Sequence, residues 1–121
     1  MAYRKEKIND LIRDEVGKIL HENLDMDNDA IVTVMRAVVS EDLNHVRIYI
    51  SVFPSQFSEE VLVQINKQIY FLQQILNKKL KIHPVPKMFF VIDMTEERAA
   101  KVEKVIVSLR EIPRRGKKVK K

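Results

Sequence analysis

Between Ser58 and Lys79 apolar side chains return at three- and four-residue steps with no proline or glycine between them: Val61, Leu62, Ile65, Ile69, Leu72, Ile75 and Leu76. That period is α-helical and predicts one helix over 58–79, about 33 Å long at the helical rise. Ser58 is placed to cap it, and Glu59 and Glu60 fall where the helix dipole favours acids. Just upstream the period is two. In "VRIYISVF", Val46, Ile48, Ile50 and Val52 face one way, and Arg47, Tyr49 and Ser51 the other, as in a half-buried strand. "IVTVMRAVV" at 31–39 is short and β-branched, and the polar turn "SEDLNH" joins the two strands into a hairpin ended by Pro54. Beyond the long helix, "MFFVI" at 88–92 reads as a third strand behind a Pro-Val-Pro break. Strand, long helix, strand implies a right-handed crossover with the last two strands parallel.

Two further helices flank this centre. Ile8, Leu11, Ile12, Ile19 and Leu20 predict a helix over 4–23, in which Gly17 either weakens the helix or admits a close neighbour. Thr95 is placed to cap a last helix, 96–111, with Ala99, Val102, Ile106 and Leu109 on one face and Pro113 and Gly116 behind it. The order helix, strand, strand, long helix, strand, helix is an α+β domain. Three strands cannot bury a core alone, so the helices must cover the sheet. Residues 1–112 are read as one domain and 113–121 as a basic, disordered tail.

Charge separates the two parts. The chain of 121 residues carries +5, but six of its 22 basic residues lie in "PRRGKKVKK" at 113–121, leaving 16 against 17 acidic in the body. The body therefore sits close to −1 and cannot recognise a partner by being uniformly basic. The chain has no cysteine, which excludes disulfides and Cys-based zinc sites and suits a reducing cytoplasm. "MAYRKEKIND" has no apolar run behind it, so it is not expected to be a secretory leader, and no segment is apolar enough to span a membrane.

Catalytic chemistry finds no foothold. The two glycines, at 17 and 116, exclude a phosphate-cradling loop and a nucleophile elbow. His21, His45 and His83 lack ligand spacing. "DMDNDA" at 25–30 mimics the start of a calcium loop, but Ala30 stands where the turn needs glycine and Arg36 where a bidentate Glu is required. No cofactor and no metal are expected, and the chain is not read as an enzyme.

The hairpin is more specific. Val32, Thr33, Val34, then Val39, Ser40, Asp42, Leu43, His45, then Tyr49, Ser51 and Val52 resemble the hairpin of the ribosome-binding factor A family of bacterial small-subunit assembly factors. In "LNKKLKIHPVPKMFFVID", Leu76, Lys79, Leu80, Pro86, Phe90 and Asp93 resemble the same family's third-strand region, and "YRKEKINDLIRDEVGKIL" its first helix. The likeness runs in unbroken order over about residues 4–109. It implies a KH-like domain of the second topological type without a Gly-x-x-Gly loop. It also implies binding to the small ribosomal subunit and its 16S rRNA in late maturation, including 5′-end processing, by a cytoplasmic, non-enzymatic monomer with no membrane partner. Two features depart from the family. Gln68, Ile69 and Tyr70 replace the small residues at which the family's long helix kinks, which predicts little kink here. Ala99 replaces a glycine, which favours a continuous last helix.

Three basic clusters are the candidate RNA contacts: Arg4, Lys5 and Lys7; Lys78, Lys79, Lys81 and Lys87; and, in the tail, Arg114, Arg115, Lys117, Lys118, Lys120 and Lys121. Lysines and arginines supply sequence-independent affinity by neutralising phosphates. Lys78 and Lys79 could equally serve only the helix C-terminus. Tyr49 could stack on a base, although packing under a helix is the default for such a residue. A protein-interaction adaptor with a basic tail and a general RNA-binding module are the competing readings.

Overall fold

The computed structural model describes residues 2–94. Helix α1 (Ala2–Asn23) leads to strands β1 (Ile31–Val39) and β2 (His45–Phe53). A single 3-10 turn, Ser55–Phe57, then feeds helices α2 (Ser58–Lys67) and α3 (Ile69–Lys79), and strand β3 (Lys87–Ile92) closes the sheet. The strand order is β1-β2-β3, with β1 antiparallel and β3 parallel to β2. The expected hairpin and the parallel pairing of the last two strands are both present. The expected helix over 96–111, its cap Thr95, and the tail 113–121 lie outside the described residues.

Alternation in β2 holds throughout: Val46, Ile48, Ile50 and Val52 are buried and their neighbours face outward. The buried side chains meet Ile12, Val16, Ile19 and Leu20 of α1, Val61 and Ile65 of α2, and Leu72 and Leu76 of α3. Each such side chain is worth about 1.5–3 kcal/mol when taken from water. The three α-helices of the described residues thus lie on one face of the sheet. Two details of α1 differ from expectation. Leu11 is exposed while Val16 is buried, because Ile12, Val16, Ile19 and Leu20 form the true inward stripe. Gly17 has nothing near the position of a Cβ, so it admits no neighbour.

β1 contains a bulge between Val34 and Arg36. Val32 and Val34 point toward the core before it, and Ala37 and Val39 after it. The extra residue shifts the alternation by one, so Met35 and Arg36 are both exposed. Arg36 thereby lies opposite Tyr49 on the face that no helix of the described residues covers.

The continuous helix expected over 58–79 is corrected: it is broken at Gln68, which adopts φ −105° and ψ 10°. A tertiary contact sits at the break. The Gln68 side-chain Oε1 accepts the Asp25 N–H at 3.0 Å, and its Nε2 donates to the Asp25 carbonyl at 2.8 Å. The break therefore coincides with a glutamine amide bonded to the segment that follows α1, at a place where this chain lacks small residues. Ser58 is also corrected as a cap. It is the first residue of α2, and its N–H bonds to the Ser55 carbonyl of the preceding 3-10 turn, with no side-chain cap.

Candidate nucleic-acid interface

The β1–β2 turn is built from its own polar groups. Ser40 Oγ donates to Asp42 Oδ1 at 2.7 Å and accepts the His45 N–H at 3.1 Å, while Asn44 N–H donates to the same Asp42 oxygen at 3.0 Å. Leu43 takes φ 64°, a conformation that costs a non-glycine residue energy. The hydrogen bonds from Ser40 and then from the Asn44 backbone hold the Asp42 carboxyl below its ordinary value. The Ser-x-Asp-Leu-x-His pattern is therefore first of all a turn. It fixes the end of the hairpin at which the basic residues gather.

Three contacts define that end. Lys5 Nζ lies 3.8 Å from Glu41 in the turn, the Asn9 side chain accepts the Val39 N–H at 2.9 Å, and the Lys87 N–H donates to the Asn44 carbonyl at 2.9 Å. The first turns of α1 and the start of β3 thus flank the hairpin turn. Gln73, in the middle of α3, ties that helix to the start of β3. Its Oε1 accepts the Met88 N–H at 2.9 Å, and its Nε2 donates to the Pro86 carbonyl at 3.1 Å. The first and second basic clusters therefore meet at one end of the domain. Lys7, Lys78, Lys79, Lys81 and Lys87 are exposed there and Lys5 is half-buried. The side chain of Arg4 and the cluster Arg114, Arg115, Lys117, Lys118, Lys120 and Lys121 lie outside the described residues.

Tyr49 does not pack under a helix of the described residues. It lies on the opposite face, with the Arg36 guanidinium 3.9 Å from its ring centroid and an Arg47 nitrogen 3.4 Å from its hydroxyl. Arg36 is absent from the basic clusters that the sequence suggests. Its only signal there is the phase shift at Met35, where the apolar alternation of "VTVMRAVV" slips by one. Among the described residues no group of acidic and histidine side chains could hold a metal ion, and no helix is long and apolar enough to cross a membrane.

A three-stranded sheet in this order, helices on one face and no Gly-x-x-Gly loop define an α+β domain of the KH-like class. A family model described as ribosome-binding factor A matches residues 4–106, and the chain belongs to that family. It is 29% identical over 116 residues to the ribosome-binding factor A of Chlorobium limicola, covering 93% of this chain and 97% of that one. Its identity to the Clostridium botulinum protein of the same name is 26% over 111 residues, covering 90% and 92%. Among solved structures, that of ribosome-binding factor A from Thermus thermophilus superposes with a TM-score of 0.65 at 16% identity, over 73% of this chain and 94% of that one. A Thermotoga maritima protein described as a putative ribosome binding factor A gives 0.55 at 22% identity, over 75% and 88%. These two likenesses bear on the fold.

Proposed function

We propose that this chain binds the small (30S) ribosomal subunit through 16S rRNA and assists its late maturation, including 5′-end processing. It acts in the cytoplasm as a monomer and catalyses no reaction itself. The observation that carries this reading is membership of the ribosome-binding factor A family across residues 4–106. The gathering of Lys5, Lys7, Lys78, Lys79, Lys81 and Lys87 at one end supports a phosphate-contacting surface within that reading. Arg4 belongs with them by sequence, and the tail cations Arg114, Arg115, Lys117, Lys118, Lys120 and Lys121 add a second, sequence-independent grip.

Sedimentation of a cell extract tests the proposal. The protein should travel with free small subunits at moderate salt, and its loss should leave 16S precursors with unprocessed 5′ ends. Protein that stays at the top of the gradient would favour an adaptor. Protein spread over unrelated RNA would favour a general RNA-binding module.

A further inference from the structure

We propose that the sheet face left uncovered by the helices of the described residues is a stacking platform for an unpaired RNA strand, with bases seated on Phe89 and on the Arg36 guanidinium above Tyr49. The inference deepens the ribosomal reading and rests on it only for which RNA is bound.

The register puts the platform together from all three strands. Arg47 of β2 pairs with Val38 and Phe89, and Tyr49 pairs with Arg36 and Val91. Phe89 and His45 are tilted rings with centroids 5.4 Å apart. Arg47 reaches the Tyr49 hydroxyl, and the Arg36 guanidinium carbon lies over the Tyr49 ring, 3.9 Å from its centroid. A stepped diagonal of planar groups therefore runs Phe89, Arg47, Tyr49, Arg36 across the three strands, with His45 beside Phe89. Strand spacings put Phe89 and Arg36 roughly 12 Å apart, two strands across and one alternation along. That is room for about two or three splayed bases, the number that aromatic residues on an RNA-binding sheet hold.

Charge selects the occupant. Arg36, Arg47 and Lys87 are exposed on this face, and none makes an ion pair among the described residues. The neighbouring turn acids are engaged elsewhere, Asp42 in the turn and Glu41 with Lys5. Phe89 remains 50% exposed although it sits in a paired strand. Cations interleaved with rings fit phosphates interleaved with bases, because guanidinium planes and aromatic rings both accept any base face. An acidic protein surface would use the charges but leave the planes without stacked partners.

The test titrates the full chain into a fluorescent, unstructured adenine–cytosine oligoribonucleotide of about eight residues. Phe89→Ala and Arg36→Ala should each weaken binding roughly tenfold, as expected for removal of one stack. Phe89→Tyr should bind like the parent. Arg36→Lys should stay weak with an unchanged salt slope, because charge is kept and the plane is removed. Both sites are exposed, so circular dichroism should report intact folding. Equal binding by Phe89→Ala, Arg36→Ala and the parent overturns the platform, even if the protein travels with small subunits. Loss of binding in these variants without small-subunit association upholds the platform and removes the ribosomal reading. A nitroxide on Val102→Cys, in a chain otherwise free of cysteine, probes the competing occupant. Broadening of the Arg47 and Phe89 amides in the free protein would show the face covered by residues 95–121 and overturn the proposal. So would concentration-dependent dimerisation abolished by Phe89→Ala.

Discussion

Gln68 holds both backbone groups of Asp25, 43 residues earlier, through one side-chain amide. The helix breaks where that amide leaves the helix. Because the bonds are exposed, they contribute about 1–2 kcal/mol together rather than their full strength. Gln68→Ala should lower stability by that amount in urea unfolding. It should also shift the amides of both Asp25 and Ile69. A variant with unchanged stability would mean that packing of Val61, Ile65, Leu72 and Leu76 alone sets the break.

The turn makes the fold sensitive to acid at one carboxyl. Asp42 is held below its ordinary value by Ser40 and then by the Asn44 backbone. A carboxyl lowered in the folded state contributes stability above its unfolded value and loses it as pH falls through the lowered one. Asp42→Ala should therefore be less stable than the parent at neutral pH, and the difference should shrink in acid below the ordinary carboxylate range. Thermal unfolding across pH, with the Asn44 and His45 amides followed by NMR, measures this. A difference that stays constant with pH would remove Asp42 as its source.

Two substitutions in opposite directions should both stabilise. Gly17 lies inside α1 with open space around its missing Cβ, so Gly17→Ala should add about 1 kcal/mol from helix propensity. Leu43 has φ 64° and an exposed side chain, so Leu43→Gly removes a left-handed cost of about 1–2 kcal/mol against a smaller entropy loss. A net gain of roughly 0.5 kcal/mol is expected. Denaturant midpoints with unchanged slopes would read both effects directly.

The same contrast explains what the sequence reveals. Regular periods are legible: the alternation of β2, the stripe of α2 and α3, and the inward face of most of α1 follow from side-chain burial alone. The turn pattern at Ser40–His45 carries the family resemblance because its side chains are committed to fixed backbone groups. What escapes are pairings between segments distant in the chain. Gln68 reads as a polar helix position until Asp25 is known to lie beside it. Gln73 does so until Pro86 and Met88 do. Strict alternation with Val32 and Val34 would turn Arg36 inward, and the bulge at Met35 turns it outward. The basic clusters are visible, but their meeting at one end depends on β3 lying parallel to β2.

The tail and the body should separate in salt titrations. On single-stranded RNA each phosphate that is no longer neutralised takes about 0.7 from the slope of log affinity against log salt. If roughly half of the six basic residues in 113–121 engage at once, deleting that segment should lower the slope by about two units. Preference for small subunits over a control RNA should survive, because phosphate contacts carry little sequence information. Reversing charge at Lys78, Lys79 and Lys81 alters a folded surface tied to the hairpin turn, and should reduce that preference with a smaller change in slope. Both variants would be titrated against small subunits and the control RNA at several salt concentrations. Loss of discrimination on tail deletion alone would make the tail a specific reader. The folded end built by Lys5, Glu41, Asn44 and Lys87 would then serve the turn rather than the RNA.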